Sequence, residues 1–238
     1  EAHIAASGRL AAITGSVGKT GSKEMLAHLL QPGGCHASRA SFNNHLGVPL
    51  TLAALPETPV DAVQEIGMNA PGEISALSAI AQPDIAVITR IADSHAGFFD
   101  SLDDIADAKA EIFDGLRTGG TAILNRNDAY FERLAARAHE AGAAKIISFG
   151  TNDSADFRLV SAERHIDGMR VNAQVRGTSL SFGLGMNGTH WAINAMAMLA
   201  VCDSLCHDFA IAAERLASFT NLPGRGAVSS GKFDGTAI

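Results

Sequence analysis

The clearest chemistry in this 238-residue chain lies in Thr14-Gly15-Ser16-Val17-Gly18-Lys19-Thr20. The apolar run Leu10-Ala11-Ala12-Ile13 leads in, and an amphipathic stretch from Gly21 leads out, which is the strand–turn–helix order of a phosphate-holding loop. Glycines let the backbone approach a polyphosphate. The amides of Gly15, Ser16, Val17 and Gly18, with the helix N-terminus, present positive potential to it. Lys19 can reach the outer phosphates, and the Thr20 hydroxyl can ligate Mg²⁺. The usual spacing puts a glycine at position 13, where Ile13 stands, so the loop is a shortened variant.

Other candidates are weaker taken singly. Glu65 closes a candidate buried strand, where a carboxylate is costly unless paired, hydrogen-bonded or metal-bound. Beside a phosphate loop it is placed to ligate Mg²⁺, and an edge-strand salt bridge is an equal reading. His95 follows the strand that runs into Thr89-Arg90-Ile91-Ala92-Asp93-Ser94, at the edge where α/β sheets bind ligands. His3, His36, His139 and His165 have no such context. Lys109, in Ala106-Asp107-Ala108-Lys109-Ala110-Glu111, reads from spacing alone as a lysine on a solvated helix face, pairing with Asp104 or Glu111. Cys202 and Cys206 share a predicted helix face with His207 adjacent. Without further ligands of matching geometry they read as core packing.

To bring these residues to one edge the chain needs a parallel sheet, and residues 1–150 alternate strand and helix accordingly. Candidate strands are Leu10–Thr14, Val63–Gly67, Ile85–Ile91, Thr121–Leu124 and Lys145–Phe149. Candidate helices are Lys23–Leu30, Val48–Leu55, Glu73–Ala81, Leu102–Leu116 and Ala129–Ala141. Residues 155–186 alternate apolar and polar around Asp167-Gly168, an antiparallel meander or hairpin pair. Helices Thr189–Leu205 and Asp208–Ser218 follow, then the loop Asn221-Leu222-Pro223-Gly224-Arg225-Gly226. The predicted class is α/β, a mostly parallel sheet flanked by helices with a small antiparallel part. The composition is 47% hydrophobic and 5% aromatic, and the net charge of -7 lacks the basic footprint of a nucleic-acid or anionic-membrane partner. Three cysteines make no disulfide framework, which suits a reducing cytosol.

Together these segments resemble the central ATP-binding domain of the Mur ligase family, from about residue 10 onward. The segments that carry the resemblance are the short loop at 14–20, Ser41-Phe42-Asn43-Asn44-His45-Leu46-Gly47-Val48-Pro49, Glu65-Ile66-Gly67-Met68-Asn69-Ala70-Pro71-Gly72-Glu73, Ala108-Lys109-Ala110-Glu111-Ile112-Phe113, Gly188-Thr189-His190 with Asn194-Ala195, and Gly224-Arg225-Gly226. Within the family, Asn43-Asn44 and Asn69-Ala70-Pro71-Gly72-Glu73 are most similar to ligases that add D-Ala-D-Ala to UDP-MurNAc-tripeptide through an acyl phosphate. The resemblance implies roles. Lys19 and the loop amides would hold the β- and γ-phosphates of ATP, Thr20 and Glu65 a first Mg²⁺, and His95 with a carbamylated Lys109 a second. His190 and Asn194 would contact adenine, Arg225 the γ-phosphate, and Asn43 and Asn44 the acceptor peptide.

The resemblance further implies a bacterial cytoplasmic monomer, with no nucleic-acid or membrane partner. In the family a UDP-sugar domain and a closing C-terminal domain flank this one, so residues 1–238 alone are expected to be inactive as a ligase. Two departures stand out: Thr89-Arg90-Ile91-Ala92 replaces the usual Thr-Asn-Ile-Gly, and Trp191 replaces the asparagine after the adenine-motif histidine. Both are expected to alter nucleotide or substrate contacts. The alternatives are another Mur or folylpolyglutamate-type ligase, or a nucleotide-binding module that hydrolyses nothing.

Overall fold

The computed structural model describes residues 8–93, 99 and 101–220, and the backbone alone of 232–233 and 236–237. The chain order is β1 (Leu10–Thr14), α1 (Lys19–Leu30), β2 (Cys35–Ala37), α2 (Gly47–Ala53), β3 (Asp61–Glu65), α3 (Glu73–Ala81), β4 (Ile85–Ile88), α4 (Leu102–Ala110), β5 (Thr121–Asn125), α5 (Phe131–Glu140) and β6 (Lys145–Gly150). It continues through β7 (Phe157–His165), β8 (Gly168–Val175), β9 (Thr178–Leu184), α6 (Thr189–Ser204) and α7 (Phe209–Arg215) to the two-residue strands β10 (Lys232–Phe233) and β11 (Thr236–Ala237).

One nine-stranded sheet runs β2-β3-β1-β4-β5-β6-β7-β8-β9. Strands β2 to β6 are parallel, and the register sets Ile13 beside Glu65 and Thr14 beside Ile88. Every residue of β1 and β4 is buried, because a parallel strand is covered on both faces. The antiparallel β7, β8 and β9 join the main sheet through a two-residue parallel contact, Phe149 and Gly150 against Phe157 and Arg158.

Alternate side chains feed two cores. Ala11 and Ile13 pack with Met25, Leu26 and Leu29 of α1 and Met196 and Leu199 of α6. Leu10 and Ala12 pack with Leu52 of α2, Ile74 and Leu77 of α3, Ile105 of α4 and Leu134 of α5. The result is a three-layer α/β/α stack in which β3, β1, β4 and β5 end side by side. Helix α6 is buried from Ala195 to Cys202, with no polar stripe at all.

Several boundaries differ from the sequence reading. The third parallel strand is Asp61–Glu65 and ends at the carboxylate, since Gly67 already turns toward Asn43, whose carbonyl accepts its amide proton at 2.8 Å. β4 stops at Ile88, freeing Thr89 and Arg90 to bond with the phosphate loop. The long helix predicted over 102–116 is α-helical only to Ala110 and then tightens to a 3₁₀ turn. Cys202 is core, but Cys206 lies past the end of α6 and is exposed, so the two do not pack together.

Trp191, the chain's single tryptophan, is buried in the first core rather than in a cleft. A Cβ built on Gly21 of α1 would sit 2.6 Å from its ring, so the glycine is what lets α1 seat on the indole. We expect Gly21→Ala to destabilise the chain by about 1–3 kcal/mol despite its better helix propensity. The Trp191 emission should shift toward exposure. Unchanged denaturation and emission would disprove the packing role.

Candidate functional site

The phosphate loop leaves β1 at Thr14 and turns on two glycines. Gly15 adopts φ 141 and presses on β4's extension, where an added Cβ would lie 2.1 Å from Thr89 Oγ1. The Thr89 hydroxyl donates to the Val17 carbonyl at 2.7 Å, the Ser16 amide donates to the Arg90 carbonyl at 2.8 Å, and the Ala92 amide donates to Ser16 Oγ at 3.1 Å. Gly18, at φ 85, opens α1, and no side chain caps that helix. The first amides of α1 therefore point to whatever anion sits above the loop. Lys19 Nζ curls back onto the loop, donating to the carbonyls of Gly15 at 2.7 Å and Ser16 at 3.3 Å. Thr20 follows in the first turn of α1.

On one side of the loop Lys19, Asn43, Asn44, Gly67, Met68, Asn69 and Glu73 line a cleft of about 190 Å³. Asn43 donates to Glu65 Oε1 at 2.7 Å. Glu65 is 1% exposed, and its Oε2 has no hydrogen-bond partner. Asn44 lines the cleft but uses its Oδ1 to accept the amides of Leu46 and Gly47, starting α2. On the other side Val17, Gly18, Thr89, Arg90, Asn125, His190, Ile193 and Asn194 line a second cleft of about 210 Å³. Trp191 is turned away from it, whereas the exposed Arg90 forms part of its wall.

Lys109 overturns the spacing argument that put it on a solvated face. It is 0% exposed, and Nζ has no partner. Burial, with the nearby positive charge of Lys19 adding to it, pushes the amine from 10.5 down to about 7, and Glu111 offsets part of this. Glu111 does not pair with it directly. Its carboxylate accepts the amides of Gly72 at 2.6 Å and Ser75 at 3.1 Å, capping α3. Glu111 and Thr89 join the candidate site through these hydrogen bonds, and the sequence reading gave them no role beyond a surface pairing. Glu111's closeness to Lys109 was the available signal.

A buried carboxylate oxygen with its lone pairs free, on a residue whose partner Asn43 lines one cleft with Lys19, fits a hard cation that takes oxygen ligands. Among the described residues no group of three or more His, Cys, Asp or Glu side chains gathers as a metal cluster. His95 and Arg225, both singled out from sequence, lie outside the described residues. No helix among the described residues is long and apolar enough to cross a membrane.

Residues 13–202 match the family described as Mur ligase middle domain. A UDP-N-acetylmuramoyl-tripeptide--D-alanyl-D-alanine ligase of Rickettsia prowazekii is 35% identical over 218 residues, covering 91% of this chain and 49% of the relative. The Bacillus subtilis protein of the same name is 36% identical, over 81% of this chain and 40% of its own length. Among solved structures, MurF from Acinetobacter baumannii superposes with a TM-score of 0.85 at 29% identity, covering 95% of this chain and 49% of that one. The chain thus spans about half the length of the relatives it matches.

The lysine shift has a measurable sign. Unfolded, Lys109 titrates at its ordinary 10.5, and folded at about 7. Between those values the unfolded chain binds a proton that the folded chain does not, so stability rises with pH across that window. The penalty is full below pH 7 and gone above 10.5. In bicarbonate-free buffer Lys109→Met should therefore gain most over the parent chain at and below neutrality, and less as pH rises. Urea denaturation across pH measures this, and a pH-independent difference would contradict the shift.

Proposed function

Because the chain belongs to the Mur ligase family through its middle domain, we propose that it is the ATP-holding core of a peptidoglycan ligase. In this reading the enzyme joins D-Ala-D-Ala to the tripeptide carboxylate of UDP-MurNAc-tripeptide. That is the activity named for the relatives at 35% and 36% identity. One observation carries the reading. Beside a single phosphate loop lie a buried carboxylate oxygen and a buried lysine amine, Glu65 Oε2 and Lys109 Nζ, neither with a partner. Simple phosphate binding needs neither group.

Lys19 and the amides of residues 15–19 hold the β- and γ-phosphates, and the uncapped start of α1 supplies its dipole to them. Thr20 and Glu65 are the proposed donors for one Mg²⁺, and His95 with a carbamylated Lys109 for a second. Bound there, Mg²⁺ would neutralise the charge that builds on the transferring phosphoryl group. Carbamylation requires an uncharged amine, and burial supplies it. The Nζ lone pair forms an N–C bond to carbon dioxide, one proton leaves to solvent, and the neutral amine becomes a carboxylate-like anion. Asn194 and His190 are the proposed contacts for the base, Arg225 for the γ-phosphate, and Asn43 and Asn44 for the acceptor peptide.

The chemistry is carboxylate activation. The tripeptide carboxylate oxygen bonds to the γ-phosphorus as ADP leaves. The amine of D-Ala-D-Ala then attacks the acyl carbon and expels phosphate, leaving the amide. The reading assigns residues 1–238 to the central domain and leaves UDP-sugar binding and domain closure to chain outside it. A cytoplasmic, monomeric enzyme is part of the same proposal.

In the enzyme, phosphate release from ATP should depend on both the UDP-tripeptide and the dipeptide. Lys109→Ala should lower kcat at least about a hundredfold, the scale of losing one charge-stabilising group, while ATP binding persists. Native mass spectrometry in bicarbonate should find one carbon dioxide adduct, absent from Lys109→Ala. Phosphate release indifferent to the dipeptide, or a fully active Lys109→Ala, would refute the proposal.

A further inference from the structure

Helix α1 carries two lysines one turn apart, and only Lys19 turns to the phosphate loop. Lys23 is fully buried in the same helix, an unusual place for an ammonium group. Its Nζ donates to the carbonyls of Ser38 at 2.7 Å and Ala40 at 2.8 Å, and lies 2.6 Å from Glu24 Oε1. Three acceptors match the three hydrogens of the ammonium. Two of the three belong to the backbone of the segment between β2 and α2, which supplies one wall of the substrate-side cleft.

That segment is held in a conformation it would not choose alone. Ala40 sits at φ 44, a left-handed geometry that costs a residue with a Cβ on the order of 1–2 kcal/mol and persists only under outside restraint. What the segment positions is specific. Ser38 Oγ accepts the Glu65 amide at 3.3 Å, and Asn43 Nδ2 donates to Glu65 Oε1 at 2.7 Å. Gln64 Nε2 and the Gly67 amide donate to the carbonyls of Phe42 and Asn43. One carboxylate oxygen is thereby occupied, and the other is left open.

We propose that Lys23 is a positioning residue for the metal-dependent step: it clamps residues 38–40 to the nucleotide helix, and so sets Asn43 against Glu65 with Oε2 free. The inference rests on the reading of Glu65 as an Mg²⁺ donor. A buried ion pair replaced by apolar groups is often neutral or stabilising, so stability alone gives little reason for a lysine here. The clamp also gives the two clefts a common mechanical element, since α1 begins at the phosphate loop and holds the wall on the substrate side. Lys23 touches neither phosphates nor the acceptor peptide, and acts only through Asn43 and Glu65.

The test titrates Mg²⁺ against the chain at saturating ATP, and separately measures ATP affinity in EDTA. Lys23→Met should raise the half-saturating Mg²⁺ concentration about tenfold, the scale of losing a ligand's supporting hydrogen bonds, and leave EDTA affinity within about twofold. Lys23→Gln, which keeps two N–H donors for the two carbonyls, should recover part of the loss. Combining Lys23→Met with Asn43→Ala should be no worse than the poorer single variant, because both act on one carboxylate. Folded Lys23 variants with parental Mg²⁺ midpoints would overturn the proposal. So would additive losses, or failure of both Lys23 variants to fold, which would make Lys23 a residue of the fold alone. A parental chain whose ATP binding ignores Mg²⁺ would instead sink the metal reading on which the proposal rests.

Discussion

The structure is organised around the expense of keeping a carboxylate oxygen and a lysine amine unpaired in a dry interior, two of the six buried side-chain polar atoms without a hydrogen-bond partner among the described residues. Glu65 Oε2 and Lys109 Nζ are both buried and both without a hydrogen-bond partner. An unsatisfied buried polar group costs on the order of 1–3 kcal/mol, and more when it is charged. Left to relax, such side chains would swing toward water or toward each other's neighbours. Here the surrounding elements prevent it. Asn43 and Ser38 hold the Glu65 side, with Lys23 behind them. On the other side α4 is fastened at both ends. Ser101 caps its start, and Asp103 and Asp107 engage Arg133 of α5. Past its end, Glu111 caps α3. Exposed ion pairs like those of Arg133 contribute little stability singly. Their value lies in fixing how α4 is rotated, and so where Lys109 is aimed.

How legible a residue was in the sequence tracks how local its determinants are. The phosphate loop was readable because its requirements lie within seven residues: positive φ at Gly15 and Gly18, then a lysine and a hydroxyl at a helix start. β1 and α3 were readable to the residue, being a short apolar run and an apolar-periodic stretch with flanking turn residues. Lys109 was not. Helix α4 buries Ile105, Ala106, Ala108, Lys109 and Ala110. Alanine is too small and too neutral to mark a buried face, so the burial of the lysine among them left no periodic trace. Only the family resemblance set Lys109 apart from a surface lysine, and the structure finds it buried.

Other misses have the same non-local origin. β2 is three residues long and exists because β3 offers it an edge. Trp191 could be read as a cleft residue from its place beside His190. Its direction is set by Gly21, a position far away in sequence that leaves room for the ring. Arg90 and Trp191, the two departures from the family pattern, therefore have opposite meanings. Arg90 stands in the wall of the cleft that also holds His190 and Asn194, where it can bear on nucleotide contacts. Trp191 lies in the core and is not part of that cleft's wall.

The division of labour on α1 follows from one geometric fact, that residues four apart share a helix face. Gly18, Gly21 and Met25 mark the side that meets α6 and the sheet, while Lys19 and Lys23 lie in line along another. With its N-terminus fixed by the loop and its flank seated on Trp191, the helix cannot roll without disturbing both lysines together. A rigid α1 thus converts the loop motif into a reference point for the cleft wall that carries Asn43 and Asn44. The same rigidity explains why burying a second cation there is tolerated: Lys23 meets preformed acceptors at Ser38 and Ala40, so its desolvation is offset by hydrogen bonds already in place. The apolar layers beneath give the fold its stability. The buried polar residues specify which way its few reactive groups point.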